Sequence, residues 1–253
     1  MSDTPDDPMR SAQLNMRPVL PKRFYKVVSV LEVMDGLAIA LDGKTARTPA
    51  RMPLVVENGL IAEALAAEWA AVESHIDPAL MPLTRLVCTA IDGVARDPAP
   101  VAAEVVRFAS SDLLCYRAEA PAALVDRQRS SWDPLLAWAT ERLGHAFAVT
   151  EGVGHIAQAS DVLEQFGTAL PSKALGLAAF HTITTLTGSA ILALALAEGR
   201  LDAPSAWAAA HVDEDWNIEY WGQDEEAAKR RAFRLSEMEA AALVLEATRP
   251  SAK

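Results

Sequence analysis

The feature that most constrains this chain is a change of hydrophobic period at Gly59. Upstream, residues 24–33 are rich in valine and aromatic side chains, Asp35-Gly36 interrupts them, and Leu37, Ile39 and Leu41 alternate up to a second Asp-Gly pair at 42–43. A period of two between Asp-Gly pairs is a strong local hairpin signal, because that dipeptide accepts the positive φ that tight antiparallel turns need. It predicts a β-meander over residues 24–48, continued by Leu54-Val55-Val56. Downstream, Ile61, Leu65, Trp69 and Val72 recur at helical spacing, and residues 101–114, 121–143, 161–169, 174–197 and 203–221 suit helices. Asp97-Pro98, Glu119-Ala120-Pro121, Pro171-Ser172 and Asp202-Ala203-Pro204 put proline and capping side chains at helix starts, while Gly144 and Gly199 suit helix ends. The expectation is an α+β protein. A small N-terminal antiparallel β-domain, residues 22–58, precedes a larger all-α domain, residues 59–245, with a disordered tail at 1–21 and a C-terminal tail at 246–253.

Charge and composition remove several classes of function. A formal net charge of −11 repels phosphate backbones and anionic lipid, so nucleic acid is not an expected partner. Two cysteines, Cys88 and Cys115, are too few for a disulfide framework and fit a reducing compartment. The N-terminus carries three aspartates and no apolar core, unlike a secretory signal or an Arg-rich transit peptide. Residues 174–197 lack any formal charge and have the length of a membrane span. His181, Thr182, Thr184, Thr185, Thr187 and Ser189 nonetheless scatter polar groups around every face, which predicts a buried core helix and no integral membrane segment.

Enzyme signatures are weak. Gly43-Lys44-Thr45 matches the end of a phosphate loop, but the position of its first glycine holds Ala38, and the tripeptide sits in a predicted hairpin and not before a helix. No GxGxxG or GxSxG motif is present. Ser189 reads as a hydroxyl bonded to the preceding helical turn, and both cysteines read as small buried hydrophobes without a motif linking them to His75 or His145. The sequence thus assigns no catalytic, nucleotide-binding, cofactor-binding or metal-binding residue.

The densest chemistry lies in residues 211–222. On one continuous helix, Trp207, Ala210, His211, Glu214, Ile218 and Trp221 share a face, with Asp215 and Glu219 on one flank, Asp213 and Asn217 on the other, and Trp216 and Tyr220 on the far side. A carboxylate at Glu214 then interrupts an apolar stripe, where it needs a hydrogen bond, a cation or a proton. Its readings are a structural acid paired with a neighbouring arginine, or part of a binding surface. His211 with Asp215, or Glu214, Asp215 and Glu219, would need ligands from another helix to hold a metal; Asp112 and His181 are candidates without a motif. Glu225 and Glu226 four residues before Lys229 and Arg230 mark a solvated helix face.

Arg23-Phe24-Tyr25-Lys26, Leu41-Asp42-Gly43-Lys44 with Thr48-Pro49, Glu68-Trp69, Met81-Pro82-Leu83-Thr84, Thr89-Ala90-Ile91-Asp92 and Trp221-Gly222 together resemble the ATP12 family of F1 ATP synthase assembly chaperones, over about residues 22–235. The resemblance implies a small β-domain before a helical one, binding to the unassembled F1 α subunit, and no enzymatic activity. It further implies a functional glutamate upstream of the Trp-Gly pair, carried here by Glu214 or Glu219, with Asp215, Trp216 and Trp221 completing the expected partner-binding set. A bacterial cytoplasmic protein is expected, or the mitochondrial matrix for a processed mitochondrial form. The rival reading is a metal- or acid-dependent hydrolase using the Glu214 helix.

Overall fold

The computed structural model describes residues 20–152 and 154–249. The expected tail at 1–21 falls almost wholly outside the described residues, as do positions 250–253 of the C-terminal one. An antiparallel sheet comes first: β1 (Val28–Val33), β2 (Gly36–Leu41), β3 (Lys44–Thr45) and β4 (Val55–Val56). β2 is its centre and pairs with all three others, in a register against β1 that runs from Val28 opposite Leu41 to Val33 opposite Gly36. The Asp-Gly turns form as the sequence predicts, with Gly36 at φ 134° and Gly43 at φ 77°. A side chain at Gly36 would drive its Cβ to 2.6 Å from the Val56 carbonyl oxygen, so that turn requires glycine twice over. Gly43-Lys44-Thr45 runs from this second turn into β3 and opens no helix.

The inner face of the sheet, from Val28, Val30, Ile39 and Leu41, joins the same apolar cluster as Ile61, Leu65 and Trp69 of α1 (Gly59–Ala70). α1 is capped by Asn58, whose Oδ1 accepts from Leu60 N at 2.9 Å and whose Nδ2 donates to the Ala247 carbonyl. Next come α2 (Pro82–Thr89), which passes into a π-turn at Ala90–Val94, and α3 (Ala99–Ala109). A short parallel pair, β5 (Tyr116–Arg117) with β6 (Thr150–Glu151), brackets α4 (Ala122–Leu143). The remainder is helical: α5 (Ser160–Thr168), α6 (Ala174–Thr187), α7 (Ala190–Ala197), α8 (Ala203–Ala210), α9 (Val212–Trp221) and α10 (Glu225–Thr248).

Two helices expected to be continuous are divided. The uncharged run 174–197 breaks at Gly188, which takes a left-handed φ of 70° and ends α6. Ser189 does not bond back into the preceding turn, as its sequence context suggests. It starts α7, accepting from Leu192 N at 3.0 Å and donating to Asp112 Oδ1 at 2.7 Å. Thr182, Thr184 and Thr187 each donate to the carbonyl four residues back, so the hydroxyls of α6 bury without loss. α7, apolar all round, is buried along Ala190–Leu196, and among the described residues no helix is long and apolar enough to cross a membrane. The second break separates α8 from α9 at His211, whose φ of −114° and ψ of 21° leave the helical region. The helix expected over 101–114 likewise ends at Ala109, ahead of a 3₁₀ turn at Leu113–Cys115.

The segments that carry the family resemblance are staples between the hairpin and the first two helices. Asp42 accepts from the N–H groups of Lys26 and Val27, at 3.0 and 2.8 Å, and these bonds hold its carboxyl below the usual range. The Arg23 guanidinium donates to the Val72 carbonyl past the end of α1, and Tyr25 Oη to the Trp69 carbonyl at 2.7 Å. Glu68 takes the N–H groups of Leu83 and Thr84, at 2.9 and 2.8 Å, and so caps α2, whose preceding Met81 cannot. Asp92, in the π-turn, accepts from Thr48 Oγ1 at 2.6 Å and Ala50 N at 3.0 Å. These residues secure the fold around buried Trp69.

Candidate functional site

α9 is a ledge. Val212 is its only buried residue, so apolar packing alone cannot hold it. Polar pairs tether it instead. Gln128 Nε2 of α4 donates to Asp213 Oδ1 at 2.7 Å, and Arg127 of α4 grips Glu219 with two bonds of 2.7 and 2.9 Å. From α10, Arg231 pairs with Asp215 at 2.5 Å. The Arg127 pair lowers the Glu219 pKa, chiefly through its hydrogen bond. Three of the four acids of α9 are therefore occupied in positioning the helix.

Glu214 is the fourth. Its carboxylate has no cationic partner among the described residues; the nearest basic atom is His211 Nε2 at 3.5 Å. His211 stacks on Trp207 with ring centroids 3.9 Å apart, and its Nδ1 lies 2.8 Å from the Trp207 carbonyl, so Nδ1 carries the proton. Burial lowers the His211 pKa, which keeps the ring neutral at neutral pH with the Nε2 lone pair facing Glu214. Two acceptors facing each other make no hydrogen bond. The side chain of Glu214 is 44% exposed and its charge is uncompensated.

The aromatic groups of α9 lie away from Glu214: Trp216 and Tyr220 project from the opposite side of the helix, and Trp221 stands two turns further on. Trp216 and Tyr220 stack with centroids 4.6 Å apart, and the Arg127 guanidinium lies 5.1 Å from the Trp216 ring centroid while it holds Glu219. Tyr220 is 63% exposed and Trp221, the last residue of α9, is 86% exposed.

The break at His211 revises the expected geometry. Trp207 belongs to α8 and is buried, whereas Trp221 is in solvent, so the single face that would join them does not exist. Glu214 consequently does not interrupt a buried stripe, and no arginine among the described residues neutralises it. Glu219 and Asp215 do have arginine partners, and both arginines come from distant segments that no motif marks. The metal candidates separate as well. Asp112 is wholly buried and accepts from Ser189 Oγ, Ile191 N and Leu114 N, while His181 Nε2 lies 3.0 Å from Glu104. Among the described residues no three His, Cys, Asp or Glu side chains gather as metal ligands would. Burial pushes the Cys88 thiol to about 11 and the Cys115 thiol to about 12, so neither supplies a thiolate at neutral pH.

The class of the protein, a chaperone, comes from the comparisons with known proteins. The family model for the ATP12 chaperone protein matches residues 22–140. Mitochondrial protein atp12 of Schizosaccharomyces pombe is 26% identical over 219 residues, covering 81% of this chain and 75% of its own length. The crystal structure of Atp12 from Paracoccus denitrificans is 41% identical with a TM-score of 0.83, covering 90% of this chain and 99% of that one. A crystal structure from Agrobacterium tumefaciens is 52% identical with a TM-score of 0.86, covering 95% of this chain and 91% of that one. This chain belongs to the ATP12 family of chaperone proteins.

Proposed function

We propose that this chain is an assembly chaperone of F1 ATP synthase that binds the unassembled α subunit and shields its β-facing surface until the β subunit arrives. Membership of the ATP12 family supports the chaperone role in ATP synthase assembly. The observation that carries the choice of surface is the Glu214 carboxylate, which has no cationic partner among the described residues, on the same helix as the exposed rings of Tyr220 and Trp221. A subunit taken out of a ring exposes apolar surface that would otherwise drive aggregation. An interface of roughly 1,600 Å² gives micromolar to nanomolar binding, tight enough to hold such a subunit and loose enough for a larger partner to displace. Trp221 supplies apolar area in this reading, and Glu214 pairs with a cation on the client. Bacterial and mitochondrial relatives fit either the bacterial cytoplasm or the mitochondrial matrix as its place of work.

The test is capture of F1 α and β subunits produced separately, with tagged chain as bait. The expected outcome is capture of α and not β, weakened about tenfold or more by Glu214→Gln with the thermal midpoint moved by no more than a few degrees. Glu226→Gln, on the solvated face where Glu226 pairs with Arg230 at 3.0 Å, should leave both unchanged. A Glu214→Gln chain that binds normally removes the site.

A further inference from the structure

β1 leaves one edge of the sheet open. Asp42 N donates to Val27 O at 2.9 Å, and this bond sets the phase of the antiparallel ladder. With 27 opposite 42 as a hydrogen-bonded pair, residues 29, 31 and 33 also bond to β2, and the N–H and C=O groups of Val28, Val30 and Glu32 point away from it. Among the described residues nothing pairs with β1 on that side. Edge strands are ordinarily guarded by charged side chains, above all lysine, by proline or by a bulge. β1 reads Val-Ser-Val-Leu-Glu-Val, with Glu32 as its one charge and no lysine, proline or bulge.

The surroundings suit an apolar guest. Val27 and Met34 at the two ends of the strand are 60% and 98% exposed, and Leu31 and Val33 are exposed between them. Across the ladder from Leu31 and Val33 stand the small residues Ala38 and Gly36. The charges are ordered along the edge: Lys26 precedes the strand, and Glu32 and Asp35 close it, all three exposed. A guest running antiparallel to β1 would set its N-terminal end beside Glu32 and Asp35 and its C-terminal end beside Lys26.

We propose that the free edge of β1 is a second docking site, which receives an extended basic-apolar-acidic segment of the client polypeptide as an added antiparallel strand. Backbone bonds to Val28, Val30 and Glu32 supply affinity that tolerates many sequences, and the two charged ends fix direction. The inference rests on the assembly-chaperone reading for the identity of the guest. It adds a surface separate in sequence from α9, so that a client chain with an unpaired strand would be held at two points.

The probe is the peptide Lys-Val-Thr-Val-Thr-Val-Glu, added to the full chain and followed by amide hydrogen exchange. The amides of Val28, Val30 and Glu32 should slow about tenfold, while those of Ser29, Leu31 and Val33, already bonded to β2, change little. A backbone N-methylated twin should give no protection. Glu32→Pro removes one outward N–H and leaves the ladder to β2 intact, so it should weaken the peptide about tenfold, whereas Glu32→Gln should bind within about threefold of the parent. Should Glu32→Pro fail to fold, the N-methylated twin decides alone. Peptide bound without protection at those three amides overturns the inference. So does protection already present without peptide and lost on deleting residues 1–19, or a dimer that Glu32→Pro dissolves. No protection while Glu214→Gln still impairs capture of the F1 subunit removes the edge and leaves the assembly reading. Protection by peptide with neither F1 subunit captured leaves a peptide site and removes that reading.

Discussion

Asp112 shows how much one buried carboxylate can organise. It receives Ser189 Oγ at 2.7 Å, Ile191 N at 3.0 Å and Leu114 N at 3.1 Å, which joins the 3₁₀ turn after α3 to the first turn of α7. Burial outweighs these bonds and raises its pKa to about 6, against an ordinary value of 3.8. Between those two values the folded chain holds a proton that the unfolded chain releases. Raising the pH through that window therefore costs stability. The unfolding free energy of the parent minus that of Asp112→Asn should fall by about 2 kcal/mol from pH 4 to pH 6, read from urea melts at each pH. A flat difference would show that Asp112 stays ionised in the fold. The same logic separates Glu214 from its neighbours: Asp213, Asp215 and Glu219 have partners that give them structural work, and Glu214 has none among the described residues.

At the scale of elements, short helices are placed by what ends them. Gly188 lets the chain reverse between α6 and α7 at φ 70°, and a Cβ there would meet only the Leu113 side chain at 3.9 Å. Space is therefore not the objection to a side chain, and backbone strain is. Gly188→Ala should destabilise by about 1–2 kcal/mol in urea melts, the ordinary cost of a left-handed non-glycine residue. A loss several times larger would mean that the Ser189 and Asp112 capping network had come apart as well. α9 is the opposite case, an element held from outside. Its tethers reach α4 and α10, and its apolar residues are spent on solvent at Tyr220 and Trp221.

For the molecule as a whole, a net charge of −11 is carried by 34 acids and 23 bases, and exposed ion pairs such as Lys229–Glu225 and Arg230–Glu226 are worth little to stability. That field serves association better than folding. Client capture should weaken several-fold between about 50 and 500 mM salt as the Debye length contracts, and Glu214→Gln should show a shallower dependence than the parent. Equal salt dependence in both chains would place the client's cation elsewhere. Sheet and helices meet in one apolar cluster that runs from Tyr25 through α1 and α7 to Leu245, so the ledge and the open edge of β1 are carried by one body.

Much of this architecture was legible in the order of the residues. Asp35-Gly36 and Asp42-Gly43 dictate the hairpin because their turns need positive φ, and the change of period at Gly59 dictates helices because it sets which side chains can share a face. Glu214 stands out in the sequence as an acid among aromatic residues. Tertiary structure decided the rest, because it depends on groups far apart in the chain. A helical wheel assumes one axis; His211 breaks that axis by stacking on Trp207, and with it goes the buried face on which Glu214 was placed. Which carboxylates of α9 are tied down follows from Arg127, Gln128 and Arg231, and no local pattern could name them, since an ion pair needs proximity in space and leaves no period in sequence.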